Sequence, residues 1–163
     1  EYLAMLPLAV PAIVLGLGLL WTWLALPVPI YGTLAVLVVA FIAVFLPQGY
    51  RGVSSSIVQL DQDLEDSAVM LGASRAKAIR FVTVPLLRIG LSSTFLLLLM
   101  LSMRELTAAL FLFTSDTRLL SIAIFDAYDN GSIRSAAELG LLYCVVIGVL
   151  AALSRRFGAK ESK

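Results

Sequence analysis

From Tyr2 to Tyr50 the chain carries no Asp, Glu, Lys, Arg or His. That uncharged run is more than twice the roughly 20 apolar residues a helix needs to cross a hydrocarbon core about 30 Å thick, so its first part can only be membrane-embedded. The whole chain agrees. Of its 163 residues 60% are hydrophobic and 14% charged, against about 25% charged in soluble domains, and the mean hydropathy is +0.97. Twelve Lys and Arg against eleven Asp and Glu give a net charge of +1, which leaves no basic excess for nucleic acid. A single Cys144 and no His exclude an intrachain disulfide and leave no nitrogen or sulfur cluster for zinc or copper. The start at Glu1, without a basic flank or a small-residue cleavage site, reads as a piece of a longer polypeptide.

Four spans are expected in an all-α polytopic bundle. The first covers Leu3 to Leu26, with Pro7 and Pro11 tolerated by neighbouring helices and Tyr2, Trp21 and Trp23 as interface anchors, and it ends at Leu26-Pro27-Val28-Pro29. The second runs from Tyr31 to Leu46 and on toward Tyr50, its exit distorted by Pro47 and Gly49. The third is Gly90 to Phe113, with Arg104 and Glu105 embedded in it, and the fourth Ala136 to Leu153. Between the second and third lies a charged loop, residues 51–89, holding Arg51, Arg75, Lys77, Arg80 and Arg88; Arg155, Arg156, Lys160 and Lys163 follow the last span, whereas Thr114 to Ser135 holds only Arg118 and Arg134. Basic loops stay inside, and four spans put the charged loop and the tail on the same, cytoplasmic face.

Within that loop Asp61 is placed to cap a helix with acidic residues in its first turn, and Leu64, Ala68 and Leu71 repeat at helical spacing. Gly72 suits the left-handed position after a helix end. Ser74 is placed to cap a second short helix through Arg75, Lys77 and Arg80 to about Thr83, which Pro85 should stop. The pattern predicts two helices meeting at an elbow; a solvated connector is the plain alternative.

Asp66-Ser67-Ala68, then Gly72, then Val82, Val84 and Pro85 resemble the signature loop of permease subunits of binding-protein-dependent ATP-binding cassette importers: E-A-A, three residues, G, nine residues, I, one residue, L-P. Gly72 and Pro85 fall in register, with Asp for Glu and Ser for Ala as departures. Leu6-Pro7-Leu8-Ala9-Val10-Pro11, Pro29-Ile30-Tyr31-Gly32-Thr33 and Met103-Arg104-Glu105-Leu106 look like the C-terminal half of ferric-iron permeases, a texture shared with permeases for thiamine, polyamines, phosphonates and sulfate. The resemblance implies a single permease-type domain over residues 1–163 in a bacterial inner membrane, with further spans before Glu1. It also implies a coupling helix docked on a cytoplasmic ATP-binding subunit dimer, a second permease half or the missing N-terminal part, an external solute-binding protein, and ferric iron as solute. Glu65, Asp66, Ser67, Ala68, Gly72, Ala73, Arg75 and Pro85 are then the coupling residues. Nucleotide chemistry would belong to the partner, for no G-x-x-x-x-G-K-[ST] loop occurs here.

Arg104 and Glu105 stand about mid-depth in the third span, where an ionised residue costs roughly 2.5–3.5 kcal/mol. They either line the solute path or hold the permease halves in register, or else pair structurally, as Arg104 with Glu138 of the last span. Ala136, Gly140, Cys144, Gly148 and Ala152 recur every four residues, a stripe that lets another helix approach. Asp116, Asp126 and Asp129, with Asn130-Gly131 as a turn, either offer hard-oxygen contacts to a docking binding protein or a metal or, since they lack calcium-loop spacing, read as a solvated outer loop. A membrane enzyme is disfavoured because the spans offer no nucleophile–base pair, paired carboxylates or metal cluster. A membrane anchor gives no reason for the Gly72–Pro85 spacing.

Overall fold

The computed structural model describes residues 2–159, and side chains except those of Gln62 and of residues from 153 on. Among the described residues every regular element is helical: α1 (Tyr2–Met5), a 3-10 turn (Leu6–Ala9), α2 (Ala12–Ala25), α3 (Leu34–Val58), α4 (Gln62–Met70), α5 (Arg75–Met103), 3-10 turns at Ala109–Phe111 and Ser115–Thr117, α6 (Leu120–Asp129) and α7 (Ile133–Ala159). Three helices, α3, α5 and α7, are long and apolar enough to cross a membrane. The pair Tyr2–Ala9 and Ala12–Ala25 passes as a fourth only as a broken element bent by 102°.

The expected first span, Leu3 to Leu26, is thus present as a broken pair of helices and not as one continuous helix. Pro7 and Pro11 each lack an N–H, and Pro11 takes extended backbone angles (φ −55°, ψ 137°) in front of α2, so the two prolines divide the apolar run. α3 continues past the expected end at Tyr50 to Val58, carrying Pro47 inside the helix and Arg51 on it. Pro47 is fully buried there.

Pro85 does not stop a helix either. α5 runs unbroken from Arg75 to Met103 through a π-helical turn at Ile79–Thr83, where the Val84 N–H donates to the Ile79 carbonyl. Pro85 stands where the wider turn rejoins the α pattern, so its missing donor falls at a place where the hydrogen-bond ladder is already shifted. The third span then ends at Met103 and not at Phe113. Residues beyond the last span that were expected to form a basic tail lie outside the described residues (Lys160, Lys163) or have undescribed side chains (Arg155, Arg156).

α3 and α5 pack antiparallel at small residues. A Cβ on Gly52 would stand 2.5 Å from the Thr94 side chain, one on Gly49 3.3 Å from Leu98, and one on Gly90 would collide with Ser56. The buried core lies toward the end of the bundle remote from α4: Val36, Leu37 and Ala40 of α3 meet Ala109, Leu112 and Ile122, with Leu19, Leu20, Trp23 and Phe41 packed around them. Each fully buried Val, Leu or Ile contributes about 1.5–3 kcal/mol. This core clamps the irregular segment 104–119 between α2, α3 and α6.

Candidate functional site

The elbow is built as its sequence predicts up to Gly72. Asp61 takes an extended conformation and its carboxylate accepts the Asp63 N–H at 3.1 Å, with Asp63 and Glu65 in the first turn. The Gly72 N–H donates to the Val69 carbonyl at 2.9 Å and the Ala73 N–H to the Ala68 carbonyl at 3.1 Å, the paired bonds of a Schellman motif, with Gly72 at φ +93°. The Ser74 side chain makes no cap bond, so α5 begins on backbone geometry alone.

Glu65 ties the elbow together. One carboxylate oxygen accepts the Thr83 hydroxyl at 3.2 Å and the other faces the Arg75 guanidinium at 3.3 Å. Thr83 was not singled out in the sequence, and nothing there marks it, because the contact depends on the angle between α4 and α5. Below it a cavity of about 440 Å³ is walled by Ile57, Leu60, Leu64, Val82 and Leu86. Ser67 donates to the Asp63 carbonyl of its own helix at 2.6 Å, Ala68 and Ala73 are half-buried, and Asp66 and Pro85 are exposed. At the tip Met70 and Leu71 are 89% and 90% exposed. Two large apolar side chains thus stand exposed beside the Gly72 turn, and Asp66, Arg75 and Lys77 of the same elbow are exposed as well.

A second site lies where α5 ends. The crossing contacts Gly49–Leu98 and Gly52–Thr94 fix the α3–α5 register, and Phe41 lines a cavity with Ser102 and Met103. Continued for about ten residues, that register sets Arg104 level with Ile42, about 12 Å in from the remote end of α3 at a rise of 1.5 Å per residue. That register sets Arg104 and Glu105 just past the end of α5 and alongside α3, and the helix expected around them is absent. From there the chain makes an out-and-back excursion. Ala108 packs backbone-first on α2, where a Cβ on Gly16 would stand 2.7 Å from the Ala108 carbonyl oxygen. The Thr114 hydroxyl reaches the Gly32 carbonyl at 3.3 Å, and the Ser121 hydroxyl returns to the Glu105 carbonyl at 2.9 Å.

The two charged neighbours part company here. Glu105 is half-buried and its carboxylate accepts the Ala108 N–H at 2.9 Å, which holds the reversal. Arg104 is exposed and its side chain makes no ion pair or hydrogen bond among the described residues. The expected Arg104–Glu138 pair does not form: Glu138 accepts Arg134 at 2.9 Å one turn away on α7, because an i, i+4 neighbour is always within reach while Arg104 belongs to another helix.

The small-residue stripe of α7 faces outward. A Cβ on Gly140 or Gly148 meets nothing within 4 Å, and Cys144 is exposed, so among the described residues no helix packs against these positions. The expected outer loop is folded, not open: Asp126 on α6 pairs with Arg118 at 2.8 Å, and Gly131 (φ +73°) closes α6 with a second Schellman turn, its N–H on the Tyr128 carbonyl and that of Ser132 on Ala127.

An exposed apolar elbow and three helices long and apolar enough to cross a membrane, two of them packed at small residues, define a polytopic helical membrane protein. Residues 1–160 match the family described as binding-protein-dependent transport system inner membrane component, and the chain belongs to it. It is a family of transport permeases, not of enzymes. A Salmonella typhimurium protein named as a 2-aminoethylphosphonate transport system permease is 31% identical over 159 residues, 95% of this chain and 60% of the relative. The ferric transport system permease FbpB of Actinobacillus pleuropneumoniae is 31% identical over 147 residues, 90% of this chain and 21% of the relative. The trehalose/maltose permease MalG of Thermococcus litoralis is 31% identical over 118 residues, 68% of this chain and 42% of the relative. The chain thus spans 60% or less of the length of each of these curated relatives.

Proposed function

We propose that this chain is the coupling half of a permease in an ATP-driven importer of the bacterial inner membrane, with the elbow and the C-terminus cytoplasmic. The supporting observation is the elbow itself: an apolar tip at Met70 and Leu71, locked by the Gly72 turn and by Glu65, and continuous with a 29-residue helix that enters the membrane. A partner ATPase gripping that tip would move α5 as it closes, and rigid-body rocking of α5 against α3 would alternate access to a path shared with a second permease half. An external solute-binding protein delivers the solute. Ferric iron is the first reading for that solute, in line with the ferric permeases among the relatives. 2-Aminoethylphosphonate is the second, favoured by relatives of that name that match across 95% of the chain.

The test is reconstitution of the full-length permease in vesicles with its ATPase and binding protein. ATP-dependent accumulation of ferric iron supports the first reading, and accumulation of the phosphonate in its place selects the second. A permease that neither captures the ATPase nor supports ATP-dependent uptake would be a membrane anchor.

A further inference from the structure

We propose that Arg104 is a solute-contact residue that binds an oxyanion group at the midpoint of the path; this rests on the importer reading above.

Three observations carry it. First, irregular backbone at membrane depth persists only where it is buried in protein or lines a cavity. Segment 104–119 is such backbone, held by the Gly16–Ala108 contact and the Ser121–Glu105 bond. Transporters place solutes at the ends of broken helices near the midplane; at a helix C-terminus, whose dipole favours cations, the guanidinium of Arg104 and not the backbone is the group that holds an anion. Second, a cation at that depth is costly unless paired or hydrated. Arg104 is exposed, and the carboxylates nearest in sequence and in expectation are both engaged elsewhere: Glu105 on the Ala108 N–H and Glu138 on Arg134. Third, Arg104 caps the last turn of α5, its own N–H on the Ser102 carbonyl. Its backbone is therefore fixed, while its side chain lies within electrostatic range of the Tyr143 phenol on α7 and makes no ion pair or hydrogen bond among the described residues.

A guanidinium offers a planar fork of donors that matches the oxygens of a phosphonate, phosphate or carboxylate two at a time. It repels a bare metal cation. The shared chemistry is thus an oxyanion, which arrives either as the phosphonate of the solute itself or as an anion travelling with ferric iron.

The experiment uses the full-length importer in vesicles with Cys144→Ser and every other cysteine of the importer replaced as background, and compares Arg104→Lys, Arg104→Gln and Arg104→Cys. Uptake should fall at least tenfold in Arg104→Gln and less than threefold in Arg104→Lys. Arg104→Cys should regain uptake after reaction with an aminoethyl thiosulfonate, which restores a cation, and not after a sulfonatoethyl reagent, which installs an anion. Measuring 2-aminoethylphosphonate uptake and ferric-iron uptake with and without added phosphate distinguishes the two sources. Methylphosphonate should raise the unfolding temperature of the purified permease, with the shift kept in Arg104→Lys and lost in Arg104→Gln. That readout needs no ATPase, so it stands or falls separately from the importer reading. Uptake and thermal shift indifferent to the charge at position 104 would overturn the proposal.

Discussion

Thr83 donates its hydroxyl to Glu65 at 3.2 Å across 18 residues of chain, and this bond joins α4 to the π turn of α5. Arg75 reaches the same carboxylate from a side chain that is 79% exposed. Solvent screening leaves such a pair little net stabilisation, so the half-buried hydroxyl is the stronger tie. Thr83→Val should destabilise the detergent-solubilised protein by about 0.5–1.5 kcal/mol and Arg75→Ala by less than about 0.5 kcal/mol. Equilibrium unfolding in mixed micelles measures both, and the reverse order would mean the ion pair governs.

Gly72→Val should abolish ATP-driven uptake with normal membrane insertion. At φ +93° a β-branched residue is strained by about 1–3 kcal/mol, which re-aims α4. Nothing lies within 4 Å of the added Cβ, so the strain is in the backbone alone and Gly72→Asn should retain more uptake than Gly72→Val. Equal activity of the two variants would contradict this.

Leu71→Asp or Met70→Asp should cut capture of the ATPase at least tenfold, about 1.4 kcal/mol or more, if the exposed tip fills a groove on it. Pull-down at fixed permease concentration gives the comparison. Neither side chain touches a span, so helical content measured by circular dichroism should not change.

Gly16→Leu should collapse the segment 104–119, because even a Cβ at that position stands 2.7 Å from the Ala108 carbonyl oxygen. Gly18→Ala, with nothing within 4 Å, should be neutral or stabilising by up to about 1 kcal/mol through helix propensity. Unfolding in mixed micelles would show a loss for the first variant and none for the second.

Sidedness can be read by labelling. In a Cys144→Ser background, Ser67→Cys and Tyr128→Cys should react with an impermeant thiol reagent from opposite faces of an oriented vesicle. Reaction of both from one face would refute the assigned topology.

The elbow was legible because its signals are local. Asp61, Gly72 and their neighbours satisfy the end groups of one short helix, and that chemistry does not depend on what packs nearby. The bend at Pro7 and Pro11 and the end of α5 at Met103 were not legible, since hydropathy reports apolar content and not chain direction. Residues Gly90 to Phe113 are apolar on both sides of the reversal, and the reversal is held by Glu105, Ser121 and the Ala108 contact with Gly16, all set by tertiary packing. Pro85 misled for a related reason: its missing donor ends an α-helix only where the ladder is regular, and the π turn had already displaced it.

The Gly52–Thr94 crossing divides α5 unequally. About 28 Å of helix lies between Arg75 and that contact, and about 15 Å between it and Arg104. If α5 pivots there, it is a lever with arms near two to one, so a 4 Å stroke at the elbow delivers about 2 Å at Arg104 with roughly doubled force. Under the proposed importer function, gearing of that kind converts a longer stroke at the elbow into a shorter and more forceful one at Arg104.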